Sequence, residues 1–232
     1  MQLQSNKDAQ SLRKNGYVVI EDYLSARDCD NMYAQAMNII EQIEYDENAI
    51  PESGLQIGYD EMDVRIRGGR DYGMFDIFHI DTAIDHLREF KHDEKIMDII
   101  VEAAGREFVP QSTNLYYKNS NLTTRGPHHD TMREKYKSFV YLTDVTEDSH
   151  GPYCYIPESH GPSVGQIVRT FGKNKLAGKK RTDNVLFDPE KAEKLYASKG
   201  TLIISNQSGV HFGQPQSEGY ERMLATTHIE PA

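Results

Sequence analysis

A change of texture near residue 108 constrains the fold of this chain more than any other feature. From Phe108 onward, short strand-like segments follow one another, and Gly, Pro, Asn and Asp separate most of them. Short strands at fairly regular spacing, preceded by helices, predict a mainly β protein with flanking helices, of the β-sandwich or jelly-roll class. The predicted strands of this half are 108–118, 125–131, 136–145, 153–157, 201–205, 209–213 and 220–229.

The first hundred residues have a different pattern. Residues 16–20 (Gly-Tyr-Val-Val-Ile) predict a short strand, and a helix with Ser25 as its N-cap is predicted to continue to about residue 43. Residues 50–82 contain glycines that interrupt any regular pattern, so we expect this stretch to be irregular. A second helix is predicted over 93–104, because a glycine follows it.

Two segments interrupt the predicted strands of the second half. Residues 165–182 carry six basic residues, no acidic residue and no apolar periodicity, which predicts a mobile excursion. With its flank, this excursion is expected to form a lid over 165–184. A helix is predicted near 189–199, with Asp188 as its cap.

Bulk composition narrows the class of protein. No internal repeat or linker divides the 232 residues, so we expect a single domain over 1–232, with a flank of helices and N-terminal strands (1–107) and a jelly-roll core (108–232). The net charge of −10 argues against nucleic-acid binding, and the apolar runs are too short for a membrane span. The absence of a signal-like N-terminus and the two isolated cysteines predict a cytoplasmic protein. Its oligomeric state is not indicated.

Residues 126–130 (Gly-Pro-His-His-Asp) carry the first candidate metal ligands. Alternate residues of a strand point to the same face, so His128 and Asp130 project together and His129 projects to the opposite face. A second imidazole, His211, lies in another predicted strand. Two histidines and one carboxylate on one side of a metal leave three positions open, which is the facial triad of non-haem iron(II) oxygenases. His128, Asp130 and His211 are therefore the predicted metal-binding and catalytic residues.

A second His-x-Asp motif, His79-Ile-Asp81, competes with the first. On spacing alone the two are equal, because an isolated His-x-Asp occurs by chance in many proteins. Residues 79–81 lie beside a predicted helix with no predicted sheet behind them, whereas His128 opens the strand-rich half. We therefore favour His128, and expect His79 to pack against Phe75 and Phe78.

A cation is expected near the triad if a dicarboxylic oxo acid also binds the metal. Arg222 lies in the last predicted strand, eleven residues after His211. A guanidinium matches a carboxylate with two parallel hydrogen bonds and stays charged when buried. An isolated arginine more often makes a surface salt bridge, but its spacing from His211 favours a role as an anion anchor.

These residues lie within a longer ordered pattern. Its parts are residues 16–25, the His-x-Asp at 128–130, residues 139–160 ending in Pro-Glu-Ser-His, and residues 200–205 followed by His211 and Arg222. The pattern covers nearly the whole chain and resembles the phytanoyl-CoA dioxygenase-like family of iron(II)/2-oxoglutarate oxygenases. The family often has Trp before the first ligand, where this chain has Pro127.

The resemblance implies a double-stranded β-helix (jelly-roll, cupin-like) core, iron(II), 2-oxoglutarate as co-substrate held by Arg222, and dioxygen. It also implies hydroxylation of a C–H bond, because halogenases of this type replace the carboxylate that Asp130 provides with a small residue. The family uses polar groups on the strand before the motif to hold 2-oxoglutarate, which here selects Asn114 and Tyr116. A register slip of one residue would select others instead: Gln111, Thr113 and Tyr117.

Four arginines near the motif suggest the substrate. Arg67 and Arg70 lie in a glycine-rich loop, and Arg125 and Arg133 flank the His-x-Asp. Each alone is typical of a solvated surface, but as a cluster in an acidic protein they predict a small, anionic or carboxylate-bearing metabolite. Two other functions stay open: a metal-dependent cupin-like isomerase or epimerase without O2 chemistry, and a non-catalytic jelly-roll binding module.

Overall fold

The computed structural model describes residues 2–184 and 186–232, with side chains from residue 6 onward. The strands are β1 (Tyr17–Ile20), β2 (Leu55–Tyr59), β3 (Met62–Ile66), β4 (Phe75–Phe78), β5 (Phe108–Asn119), β6 (Tyr136–Tyr141), β7 (Tyr153–Tyr155), β8 (Glu193–Leu195), β9 (Leu202–Asn206), β10 (His211–Gly213) and β11 (Glu221–Pro231). The α-helices are α1 (Gln2–Asn15), α2 (Ala26–Glu41), α3 (Asp85–Lys91), α4 (Glu94–Ala104) and α5 (Val164–Leu176).

The strands form two antiparallel sheets. The large sheet has the order β1-β9-β6-β11-β5-β4-β3-β2, and the small sheet has the order β10-β7-β8. Non-consecutive neighbours such as β9, β6 and β11 show that the chain crosses repeatedly between the sheets. The predicted class, a mainly β jelly roll with flanking helices, is confirmed.

The central strands of the large sheet are buried on both faces. In β6, Val140 packs into the core under the helices, whereas Phe139 and Tyr141 pack towards the small sheet. In β9, Ile204 packs into the core under the helices, and Ile203 packs towards the small sheet. This alternation follows from the two-residue period of a strand, and each fully buried large side chain stabilises the fold by about 1.5–3 kcal/mol.

Two helices of the flank begin and end where the sequence predicts. The Ser25 hydroxyl accepts a hydrogen bond from the backbone N–H of Asp28 and caps α2. The Asp93 carboxylate caps α4, and Gly105 ends that helix with a φ of 71°, a conformation that favours glycine. Of the described helices, none combines the length and the apolar character that crossing a membrane requires.

The prediction that residues 50–82 are irregular is wrong. Three strands of this stretch, β2 to β4, extend the large sheet beyond β5. In β3, Met62, Val64 and Ile66 are buried and the residues between them are exposed, which is the period of a half-buried strand. The glycines lie mostly in the connections, such as Gly69 and Gly73 with positive φ between β3 and β4.

Two predictions in the second half are also wrong, and the basic excursion contains an unpredicted helix, while its mobility and its role as a lid stay predictions. The basic excursion contains α5, which begins with a capping box formed by Ser163 and Gln166. The predicted helix at 189–199 is a single 3-10 turn (Pro189–Lys191) followed by β8. Residues 125–131 do not form a strand. Within this segment, His128 makes isolated β-bridges to Asp183 and His211. The helices α1 and α3 were not predicted.

Candidate metal centre

The three predicted ligands meet at one point between the two sheets. The ligand atoms offered by His128, Asp130 and His211 all lie within 4.8 Å of one another. Asp130 Oδ1 is 3.5 Å from His128 Nε2 and 3.7 Å from His211 Nε2. Two imidazole nitrogens and one carboxylate oxygen in this arrangement form the donor set of a facial triad.

Backbone hydrogen bonds join the two histidines directly. The N–H of His128 donates to the carbonyl of His211 at 3.1 Å, and the N–H of His211 donates to the carbonyl of His128 at 2.9 Å. The N–H of Asp130 donates to the carbonyl of Gln207 at 3.2 Å. These bonds hold the His-x-Asp segment against the start of β10, although the segment is not a regular strand.

The hydrogen bonds of each imidazole leave Nε2 available for a metal. His128 Nδ1 lies 2.8 Å from the carbonyl of Gly126, and His211 Nδ1 lies 3.0 Å from the carbonyl of Gly209. A carbonyl only accepts, so Nδ1 carries the hydrogen and Nε2 keeps its lone pair. Burial also lowers the pKa of His211, which favours the neutral form that a metal requires.

The carboxylate of Asp130 is held in its charged form. Burial opposes ionisation, but Lys137 and then the two imidazoles outweigh it and keep the pKa of Asp130 well below its usual range. Lys137 Nζ lies 2.5 Å from Asp130 Oδ2. The sequence analysis did not nominate Lys137, although a lysine two residues before Phe139 on a largely buried strand was a visible signal.

His129 has no free ring nitrogen. Its Nδ1 donates to the carbonyl of Ser208 at 2.6 Å, and its Nε2 accepts from the Asn184 side chain at 2.7 Å. Its backbone N–H donates to the carbonyl of Thr182. His129 therefore ties the segment after α5 to the triad, and it projects away from the metal position as predicted.

The competing motif at 79–81 makes structural contacts. His79 has a φ of 61° at the start of a 3-10 turn, and Asp81 pairs with Lys91 at 3.0 Å. Asp81 also accepts a hydrogen bond from the N–H of Thr113 on β5. The expectation that no sheet lies behind this motif is therefore wrong. Among the described residues, only the triad groups three ligand atoms as a metal site.

A cavity of about 250 Å³ opens beside the triad, and Arg222 lies in its wall. The Arg222 side chain is partly buried, and its Nη1 donates to the carbonyl of Gly151. Among the described residues, no carboxylate lies within salt-bridge distance of it, and burial lowers its pKa. A buried cation without a carboxylate partner is costly, so this position suits an anionic ligand.

Two further polar atoms face the same cavity without a partner among the described residues. They are Thr226 Oγ1 and Gln207 Oε1, and both are buried. Buried polar atoms in native proteins are nearly always hydrogen-bonded, so these two atoms indicate a ligand with polar groups. The triad, the Arg222 guanidinium and these atoms together fit iron(II) and a dicarboxylic oxo acid.

Of the two candidates on β5, Tyr116 and Asn114, one lies at the cavity and the other does not. Tyr116 lines the cavity. Asn114 does not line it, and its Oδ1 accepts a hydrogen bond from the N–H of His79 at 3.3 Å. Two of the residues that a register slip would select make other contacts. The hydroxyl of Thr113 hydrogen-bonds that of Thr227, and the Tyr117 hydroxyl donates to the Glu221 carboxylate.

The four arginines do not form one cluster. Arg67 and Arg125 line the cavity, whereas Arg70 lines a separate cavity and Arg133 lines neither of these two. The two at the cavity already pair with carboxylates. Arg67 Nε is 2.8 Å from Asp76 and its Nη1 is 3.3 Å from Asp71; Arg125 Nη2 is 2.7 Å from Asp183.

The fold of this chain is similar to that of many solved structures. The 2-oxoglutarate-dependent epimerase SnoN of nogalamycin biosynthesis has 16% identity and a TM-score of 0.69, with 100% of this chain and 84% of SnoN covered. The carbocyclase SnoK of the same biosynthesis has 16% identity and a TM-score of 0.67 (97% and 83% covered). HygX from Streptomyces hygroscopicus, with nickel, 2-oxoglutarate and hygromycin B bound, has 10% identity and a TM-score of 0.66 (97% and 87% covered).

Sequence comparison gives a more direct assignment. No curated protein sequence matches the chain. The phytanoyl-CoA dioxygenase (PhyH) family, however, matches residues 12–222, which include every residue of the triad and Arg222. The chain therefore belongs to the phytanoyl-CoA dioxygenase family.

Proposed function

We propose that this protein is an iron(II)- and 2-oxoglutarate-dependent oxygenase that hydroxylates a C–H bond of a small molecule. One observation carries the proposal: the partly buried Arg222 guanidinium, which has no carboxylate partner among the described residues, lies in the wall of the cavity that holds the triad. Iron would bind the donor atoms of the triad, and a dicarboxylate would give the Arg222 guanidinium the anionic partner that it lacks among the described residues.

The residues of the chain would divide the work as follows. His128 and His211 would hold iron(II) as neutral imidazoles through Nε2, and Asp130 would hold it through its carboxylate. Arg222 would hold the distal carboxylate of 2-oxoglutarate, with Thr226 and Gln207 as further polar contacts. When bound, iron, 2-oxoglutarate and dioxygen supply the oxidising power for an unactivated C–H bond. Phe139 and Tyr153 give the cavity an aromatic wall beside the triad.

The charges of the cavity bear on the substrate. Arg67 and Arg125 pair with aspartates, Lys137 pairs with Asp130, and Arg222 is assigned to 2-oxoglutarate. No unpaired cation of the described cavity is left for a substrate. The idea of an anionic substrate therefore loses its main support, and we propose a small, polar, uncharged molecule instead. Two relatives of the same fold, SnoN and HygX, hold small molecules, nogalamycin RO and hygromycin B.

The experiment that tests the proposal is an anaerobic titration of the iron(II)-loaded protein with 2-oxoglutarate. We expect the weak visible charge-transfer band of the chelate to appear in the wild type and to be lost in His211→Ala. Absence of the band in a wild-type protein that has bound iron(II) would overturn the proposal.

Epimerisation is the second candidate, because the same fold serves the 2-oxoglutarate-dependent epimerase SnoN. Turnover under ¹⁸O-labelled dioxygen separates the two outcomes. Hydroxylation places labelled oxygen in the product, whereas epimerisation leaves the product unlabelled. Turnover without dioxygen would instead support an isomerase that needs no oxygen chemistry.

A further inference from the structure

The two oxygens of the Asp130 carboxylate face different partners. Oδ1 is the oxygen nearest to both imidazoles, at 3.5 Å from His128 Nε2 and 3.7 Å from His211 Nε2. Oδ2 is 2.5 Å from Lys137 Nζ. One oxygen of the ligand is therefore directed at the metal position, and the other is already bound by a cation of the chain.

We propose that Lys137 is a positioning residue that restricts Asp130 to coordination through one oxygen. The inference rests on the proposed function, since it concerns how the triad binds its metal. A free carboxylate can bind a metal through both oxygens, and it then occupies a position that the chemistry needs. With Oδ2 held by Lys137, three positions stay open for 2-oxoglutarate and dioxygen.

The strand β6 fixes Lys137 in this position. Lys137 shares its face with Phe139 and Tyr141, which line the cavity with it. It is paired with His228 of β11 and with Ser205 of β9, so a strand lies on each side of it. Its side chain is 19% exposed. A lysine held in this way has little freedom to leave the carboxylate.

Lys137 and Arg222 are both cations of the cavity, but their surroundings assign them different roles. Arg222 has no carboxylate partner among the described residues, so it is available to an anionic ligand. Lys137 already has one, and that partner is a ligand of the proposed metal. The structure thus assigns the co-substrate to Arg222 and the orientation of the metal ligand to Lys137.

The test uses the full-length protein loaded with Mn(II), which reports coordination without turnover. Water-proton relaxation measures the exchangeable waters on the metal, and addition of 2-oxoglutarate displaces them. We expect Lys137→Met to bind Mn(II) about tenfold more weakly. Once saturated with Mn(II), it should show about one exchangeable water fewer than the wild type and bind 2-oxoglutarate more weakly. Lys135→Met is the matched control, because Lys135 pairs with Glu230 and does not line the cavity.

Lys137→Gln is the second variant, in case Lys137→Met does not fold. It keeps a hydrogen-bond donor but removes the charge, so we expect an intermediate loss of 2-oxoglutarate affinity. If the wild type binds no Mn(II), or if 2-oxoglutarate displaces none of its water, the proposed function itself fails. If the wild type behaves as expected and both variants keep its water count and its affinity, the positioning role is wrong and the proposed function stands.

Discussion

We expect the Arg222 guanidinium to lower the stability of the ligand-free protein and to strengthen the binding of 2-oxoglutarate. Its guanidinium is partly buried, and its one hydrogen-bond acceptor among the described residues is the carbonyl of Gly151. We expect Arg222→Met to weaken 2-oxoglutarate binding by about a hundredfold, since loss of a buried charged contact costs about 2–5 kcal/mol. The same change should raise the melting temperature of the ligand-free protein, because it removes a buried, unpaired charge.

Calorimetric titration and thermal unfolding measure these two effects. Arg106→Met is the control, since Arg106 forms an exposed pair with Glu134. A variant at Arg222 that lost stability and kept its affinity would show that the guanidinium is a structural group.

Gly209 is required by close packing. A Cβ at this position would lie 1.8 Å from the hydroxyl oxygen of Tyr155, whose ring is stacked parallel to His211 at 6.4 Å. We expect Gly209→Ala to destabilise the protein by about 1–3 kcal/mol through overpacking, and to weaken metal binding because the displaced ring disturbs His211.

Urea unfolding and metal titration check this expectation. Gly172→Ala is the matched control, because nothing lies within 4 Å of a Cβ there and α5 should gain about 0.5–1 kcal/mol. Equal stability of Gly209→Ala and Gly172→Ala would contradict the expected overpacking at Gly209.

The triad was predictable residue by residue, but its surroundings were not. The His-x-Asp motif indicated His128 and Asp130, although the strand alternation used to argue for them is absent from residues 125–131, and the spacing from His211 indicated Arg222. Lys137 and Thr226 reach the site through the pairing of separate strands, β6 with β9 and β11 with β5. Such pairings depend on long-range register, which a local pattern does not contain.

At the scale of elements, α5 differs most from its prediction. Its buried residues are Thr170 and Asn174, so its inner face is polar and leaves no apolar period. The strands β6 and β9 were predictable from their apolar runs, and β5 and β11 from their β-branched and aromatic residues between turn residues. The strands β2 to β4 were missed because the glycines before β2, within β2 and between β3 and β4 outweighed the alternation.

Asn174 connects α5 to the metal centre. Its side-chain amide donates to the backbone carbonyls of Lys180, Arg181 and Asp183. The segment that it holds in turn bonds His129 beside the triad. We expect Asn174→Ala to speed hydrogen exchange across residues 180–184 and to weaken metal binding several-fold, while exchange in the sheets stays unchanged.

Hydrogen-exchange mass spectrometry with and without Mn(II) measures this effect. Lys173→Ala, an exposed change on the same helix, is the control. Wild-type exchange rates at 180–184 in the Asn174 variant would refute the connection.

For the whole molecule, buried histidines set a dependence of stability on pH. Burial, followed by the charge of Lys137, lowers the pKa of His228 to about 4. An unfolded chain takes up this proton near its ordinary pKa of about 6.5. Between these values the unfolded state binds more protons, so stability falls as the pH falls from about 6.5 to 4.

We expect His228→Gln to flatten the dependence of the unfolding free energy on pH in this window by up to one proton. Urea unfolding of the metal-free protein at several pH values measures the slope. Identical slopes for the wild type and the variant would exclude His228 as a source.

The connection between β3 and β4 has a consequence for how this protein can change over evolution. It brings Arg67, Asp71 and Met74 into the cavity wall but supplies no metal ligand. Residues 67–76 hold two arginines and two aspartates, and Arg67 pairs with both of those acids, so the stretch is electrically neutral in itself. Loss of Arg67 alone would leave two aspartates without their cation, so we expect Arg67, Asp71 and Asp76 to change together in related proteins.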